Sequence, residues 1–109
     1  MGVHSTIGPE VKFHIGKTII GNKVVISQRS YLCSATHDYK SINIPFISGE
    51  IIIKDYVWIG AEVFIMSNIT IHEGAVVGAR SGVFKNVSAW SIIGGNPAKY
   101  IKDRIIENE

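Results

Sequence analysis

Cysteine is nearly absent from this chain. Cys33 is the single one among 109 residues, which excludes an intrachain disulfide and leaves no cysteine-based metal spacing. A reducing cytoplasm is therefore the expected setting. No N-terminal apolar run reads as a signal peptide, and no stretch approaches the roughly 20 apolar residues that a membrane span needs. Net charge is also small, at +2, too little to point to nucleic acid. Paired histidines are missing as well. His4, His14 and His72 are isolated from one another and from His37, so no zinc site and no metal cofactor are expected.

What charge there is lies unevenly. Residues 80–104 carry Arg80, Lys85, Lys99, Lys102 and Arg104 against Asp103 alone, whereas residues 50–73 carry Glu50, Asp55, Glu62 and Glu73 against Lys54. The basic end is a candidate site for an anionic ligand. A solvated C-terminal helix with late lysines and arginines accounts for the same residues.

What the chain does have is a beat of six. Ile53, Ile59, Ile65, Ile71, Val77 and Val83 are evenly spaced, and four places after each stands Val57, Val63, Ile69, Ala75, Ser81 or Val87. Ile20, Ile26 and Leu32 keep the same beat, with Val24, Ser30 and Thr36 at the offset. A period of six fits neither the 3.6 period of a helix nor the period of 2 of one continuous strand. It fits a short strand and a corner, repeated. The expected fold is an all-β solenoid, a single-stranded parallel β-helix of about three to four coils. Each inward Ile or Val contributes about 1.5–3 kcal/mol on burial. Gly60 and Gly78, directly after an aliphatic, are assigned to tight corners.

Residues 1–109 read as one domain. Residues 1–19 suggest an irregular or partial first coil, because Ile15 and Ile20 break the beat. Residues 20–37 make a coil. Residues 38–52, with Pro45 and Gly49, read as a loop ejected from a corner, since the spacing from Ile20 to Ile53 is not a multiple of six. Residues 53–93 continue the coils. Gly94-Gly95-Asn96 reads as a turn, and Pro97 with Ile101 and Ile105 predicts a short amphipathic helix over 97–107. So small a stack leaves strand edges open at its ends, which favours oligomerisation.

Three segments, taken in order, are more specific than the beat: Ile26-Ser27-Gln28-Arg29-Ser30-Tyr31-Leu32-Cys33 with Thr36-His37-Asp38-Tyr39, then Val57-Trp58-Ile59-Gly60-Ala61, then Gly94-Gly95-Asn96-Pro97-Ala98-Lys99. With them the chain resembles the hexapeptide-repeat acyltransferases, and among these the colanic-acid and exopolysaccharide O-acetyltransferases. That resemblance implies a left-handed β-helix, a homotrimer with active sites between subunits, and acetyl-CoA as donor. It implies transfer of acetyl to a hydroxyl of a sugar or glycan by direct attack, with His37 as general base. An imidazole, with its ordinary pKa near 6.5, suits that task. The resemblance assigns backbone contacts with the pantetheine arm to Ala61 and Ala79, and the CoA phosphates to Lys85 and Lys99. It gives Trp58 a place in the acceptor pocket, with packing between subunits as the other account. Asp38 is a candidate to orient His37, but neighbouring residues of a strand point to opposite faces. A backbone carbonyl or another acid could hold the ring instead. Cys33 is read as structural rather than as an acetyl carrier. Two other functions stay open. One is N-acetylation of an amino sugar or antibiotic-type acceptor. The other is a non-catalytic oligomerisation or ligand-binding module, motivated by the short stretch of chain ahead of Ile26.

Overall fold

The computed structural model describes residues 1–107. Among these residues there are fifteen short strands and no helix. No helix is therefore long and apolar enough to cross a membrane. The chain winds through three parallel sheets in strict rotation, each one a face of a prism. Face A stacks β1 (Thr6–Ile7), β4 (Val25–Ile26), β9 (Trp58–Ile59), β12 (Val76–Val77) and β14 (Ser91–Gly94). Face B stacks β2 (Lys12–His14), β5 (Tyr31–Cys33), β10 (Phe64–Ile65) and β13 (Gly82–Val83). Face C stacks β3 (Lys17–Ile20), β8 (Glu50–Ile53) and β11 (Ile69–Ile71), and Val87 bridges to Ile71 as its next rung. Face B thus counts four coils, and β14 begins another on face A.

The aliphatic beat is the core. Ile26, Leu32, Ile53, Ile59, Ile65, Ile71, Val77 and Val83 are fully buried, and Val24, Val57, Val63 and Ala75 are buried at the offset of four. Two serines share that offset without loss. Ser30 Oγ donates to the Gly60 carbonyl (2.9 Å) and accepts from the Val63 N–H (3.2 Å), and Ser81 Oγ donates to the Gly78 carbonyl (2.7 Å). A buried hydroxyl is tolerated when it is paired in this way.

The breaks in the beat have definite causes. Ile65 pairs with Val83, three hexads further along the chain, but Leu32 pairs with Ile65 across a much longer span. The excess is the ejected segment. It is as long as the expected 38–52 but starts earlier. β6 (Ala35–His37) and β7 (Phe46–Ser48) form an antiparallel hairpin, and β8 resumes face C at Glu50. Ile51 and Ile52 therefore belong to the sheet, paired with Ile69 and Thr70, and Ile51 is 0% exposed. Thr36, which keeps the beat on paper, has left the prism with β6, and Ile51 fills its rung. At the N-terminus, residues 1–19 form a parallel-paired coil rather than a partial one, irregular at one corner. Phe13 pairs with Leu32, a span of three hexads plus a single extra position. That extra residue falls at the corner holding Gly16, whose φ is 122°.

Glycine is not what turns most corners. Tyr56, Glu62, Asn68, Gly74 and Arg80, six apart, all have positive φ, and four of these five are not glycine. Their N–H groups reach back one coil. Tyr56 donates to the Asn22 carbonyl (3.0 Å), Glu62 to Gln28 (3.0 Å) and Arg80 to Ala61 (2.8 Å). Gly60 and Gly78 serve close approach instead. A Cβ on Gly60 would lie 2.8 Å from the Ala79 nitrogen, whereas one on Gly78 would meet the Ile93 carbonyl oxygen at 3.3 Å.

The helix expected over 97–107 does not form. β15 (Lys99–Asp103) instead turns back at Gly94-Gly95, where Gly95 has a φ of 95°, and pairs antiparallel with β14. β14 is the last parallel strand, so its outer edge would otherwise be unpaired, and pairing it meets the hydrogen-bonding demand of that edge. Ile101 and Ile105 stay exposed, so their spacing of four marks no buried helix face. Arg104 fastens the end. Its guanidinium donates to the Tyr56 and Gly74 carbonyls (2.7 and 2.9 Å) and lies over the Trp90 ring.

Urea unfolding should separate these effects. Ile65→Ala is expected to lose about 2–5 kcal/mol. Gly60→Ala should lose about 1–3 kcal/mol through backbone overlap, and Gly78→Ala clearly less. Equal losses at the two glycines would refute the close-approach account.

Candidate active site

His37 ends β6, at the point where the hairpin leaves the B–C edge of the prism. Its ring is exposed, stands edge-on to Phe46 with ring centroids 5.6 Å apart, and Nδ1 lies 2.9 Å from the Ile44 carbonyl oxygen. A carbonyl oxygen can only accept. Nδ1 must therefore carry the proton, and in the neutral ring Nε2 is the nitrogen with a free lone pair.

Asp38 does not orient the ring. Its carboxylate accepts from the Lys40 N–H (3.0 Å), and its own N–H donates to the Pro45 carbonyl (2.9 Å). Asp38 thus shapes the turn that brings Ile44 to His37, an Asx-type use of the side chain. Of the partners left open by the sequence, the structure selects a backbone carbonyl. No residue type marks a carbonyl acceptor, so Ile44 left no signal of its own in the sequence.

The other candidates fall into separate groups. Ala61 and Ala79 stack one coil apart on the A–B edge, joined by the Arg80 N–H to Ala61 carbonyl bond. Their own N–H groups have no hydrogen-bond partner among the described residues, which leaves two donors for a ligand lying along that edge. The small side chains keep the approach open. Two ion pairs line the same edge, Glu10 with Arg29 (3.0 Å) and Glu62 with Arg80 (2.9 Å). Both are exposed and add little stability.

Trp58 projects outward from face A, 50% exposed, and its Nε1 donates to Ser27 Oγ (3.1 Å). Face A does not border the B–C edge. One chain therefore holds Trp58 and His37 on opposite sides of the prism.

Lys85 follows β13 on the B–C edge, two coils beyond His37, and Lys99 opens β15. The structure brings these two lysines to one cavity of about 540 Å³ at the C-terminal end of the prism. Its apolar wall includes Val83, Val87 and Ile93. Tyr100 also lines it and donates to the Asp103 carboxylate (2.6 Å); that bond raises the phenol pKa and keeps the group neutral. Cys33 is half-buried, with its thiol 3.1 Å from the Ala35 carbonyl oxygen. Among the described residues no group of three or more His, Cys, Asp or Glu side chains could hold a metal ion.

Comparison with known proteins agrees with this architecture. Residues 50–85 match the family "Bacterial transferase hexapeptide (six repeats)". The chain is 39% identical over 106 residues to WcaF of Escherichia coli, named for an acetyltransferase of colanic acid biosynthesis; the match covers 96% of this chain and 58% of WcaF. A chloramphenicol acetyltransferase of Escherichia coli is 46% identical over 70 residues, covering 64% of this chain and 33% of that protein. Among solved structures, the polySia-specific acetyltransferase NeuO superposes with a TM-score of 0.85 at 32% identity, over 99% of this chain and 53% of NeuO. A variant of AntD, an N-acyltransferase from Bacillus cereus in complex with dTDP-4-amino-4,6-dideoxyglucose and coenzyme A, superposes at 0.84 with 29% identity, over 94% of this chain and 61% of AntD. The chain thus spans a little over half the length of WcaF and NeuO. With a six-residue beat, a three-faced parallel solenoid and these relatives, the chain belongs to the hexapeptide-repeat acyltransferase family.

Proposed function

We propose that this chain is the donor-binding and catalytic part of an acetyl-CoA-dependent acetyltransferase acting on a hydroxyl of a sugar or glycan. The coils are taken as left-handed, as in the family. The observation that carries the proposal is the hydrogen bond between His37 Nδ1 and the Ile44 carbonyl (2.9 Å), because it leaves Nε2 as a base on an exposed ring. In the reaction the acceptor oxygen attacks the thioester carbonyl carbon while Nε2 takes its proton. The C–S bond then breaks, and the imidazolium returns the proton to the departing thiolate. No covalent enzyme intermediate is needed, in keeping with Cys33 as a structural residue.

The donor would lie along the A–B edge, with its pantetheine amides on the free Ala61 and Ala79 N–H groups. The phosphates would be met by Lys85 and Lys99, which converge on one cavity and suit phosphate as compact cations. A single chain holds these groups on two edges, so the site needs a second copy. Face B supports the way they meet. Tyr31, Phe64 and Phe84 form an outward ladder on it, with ring centroids 5.8 and 6.1 Å apart, and Tyr31 and Phe84 are 37% and 48% exposed. Three copies with face B toward a threefold axis would bury that ladder. The A–B edge of one copy would then lie beside the B–C edge of the next, and Ala61, Ala79 and Trp58 would come alongside the neighbour's His37.

N-acetylation of an amino sugar is the second reading, favoured by the likeness to AntD with its bound amino sugar. An amine acceptor would use the same base and the same donor groove. Mass spectrometry of the acetylated product separates the two. CoA binding without turnover on any acceptor would leave the third reading, a binding module.

His37→Ala should lower kcat about 10²–10⁴-fold without weakening CoA binding. CoA release at the parent rate in that variant would remove His37 as base. Lys85→Ala combined with Lys99→Ala should raise the CoA dissociation constant about tenfold, on the scale of two partly exposed charge-assisted contacts, and flatten its dependence on salt. Calorimetry at two ionic strengths reads both effects. Sedimentation tests the assembly: Phe64→Asp on face B should give monomers that no longer bind CoA, while Ile19→Asp on face C should leave the oligomer intact. A monomeric parent that still binds CoA would defeat the shared site.

A further inference from the structure

Among the described residues ten other than glycine have positive φ, and nine of them, His4, Glu10, Lys23, Arg29, Tyr56, Glu62, Asn68, Arg80 and Trp90, stand at corners of the coils. The tenth is Ile44, with a φ of 47°, in the turn of the hairpin. It is the one β-branched residue of the ten, and that side-chain type is the least suited to this region. It also precedes Pro45, which disfavours helical backbone for the residue before it. Burial does not account for the conformation, since the Ile44 side chain is 57% exposed. The coil ladder does not account for it either, because the hairpin lies outside that ladder. What holds Ile44 there is local: its N–H donates to the Ser41 carbonyl (3.0 Å), and the Asp38 N–H donates to the Pro45 carbonyl (2.9 Å). What the conformation achieves is the placement of the Ile44 carbonyl 2.9 Å from His37 Nδ1. A strained residue persists only where its surroundings impose it, and such residues gather at functional sites.

We propose that Ile44 is a positioning residue whose left-handed backbone aims its carbonyl at His37 Nδ1 and so decides that Nε2 is the free nitrogen. This rests on the assignment of His37 as base, but its main test needs no turnover. In the ligand-free protein, long-range proton–nitrogen NMR of the neutral His37 ring should show the proton on Nδ1. Ile44→Asn, which tolerates positive φ, should keep that tautomer and melt no lower than the parent. Ile44→Pro, whose ring confines it to negative φ, should shift the proton toward Nε2 with the prism amide signals unchanged. Where turnover is measurable, the Pro variant should lose about 10²-fold in kcat, the lower end of what a positioned base provides, with KM unchanged. A parent ring protonated on Nε2 would overturn the proposal. So would an Ile44→Asn variant that melts lower or changes tautomer, or an Ile44→Pro variant that keeps Nδ1–H. A parent with the expected tautomer but no acetyl transfer would sink the enzymatic reading while leaving the positioning intact.

Discussion

Everything in this molecule hangs on the corner. A parallel strand pair needs a crossover, and here the links between faces are only four residues long, from Ile59 to Phe64 or from Val77 to Gly82. So short a connection works because a residue in it, Glu62 or Arg80, adopts positive φ and passes its N–H to the coil before it. Glu62 to Gln28 and Arg80 to Ala61 are two rungs of that second ladder. The positive-φ corner residues are thereby paired as the strands are on the faces, the free Ala61 and Ala79 N–H groups excepted, and most interior side chains need only fill. That explains why the interior accepts Ser30 and Ser81 beside Ile and Val. It also explains why the conformational strain of non-glycine corners is tolerated: both the coil above and the coil below depend on each one.

A scaffold this regular makes insertions easy to see. Coils that repeat every three hexads take up a single extra residue at the Gly16 corner but eject a long insertion, as they do after Ser34. The hairpin that results is exposed and rests on few contacts, and an isolated hairpin is marginal on its own. Its internal bonds, from Asp38 to Pro45 and from Ile44 to Ser41, therefore matter more than they would in a buried loop. These bonds also present the His37 ring. The prism supplies the place where the hairpin starts and ends, and the hairpin carries His37, the proposed base.

How legible was this in the sequence? The inward residues were plain, because Ile53 through Val83 and their offsets need only a period. The Thr36 rung misled, since a residue can keep the beat and still leave the prism when the insertion begins before it. Gly60 and Gly78 do lie at tight corners, but not as the turning residues. A glycine after an aliphatic looks like a turn residue, whereas here it makes room for the next coil and Glu62 or Arg80 does the turning. The C-terminal helix failed because Ile101 and Ile105 satisfy a helical spacing, but an unpaired β14 edge stood one turn away. Tertiary pairing overrode local pattern, as it commonly does for short segments. At the site, His37 stood out by its flanking residues, while the carbonyl that holds it belongs to no side chain and left no trace.

The shape of the prism also constrains catalysis. A triangular solenoid this narrow has a filled interior, so it offers no internal cleft between its faces. Its groups for a ligand must sit on edges and outer faces, and two edges of one copy point away from each other. In the proposed site Ala61 and Ala79 on one edge and His37 and Lys85 on another serve one substrate where edges of two copies meet, and face B is the face that both edges border. Its outward side chains include the ring ladder of Tyr31, Phe64 and Phe84, with Lys12 beside Tyr31. Burial of that ladder would drive assembly, and assembly would align the donor groove with the base. In such a design, stability of the oligomer and completion of the site are one event. A substitution on face B would then abolish donor binding without touching a single donor contact.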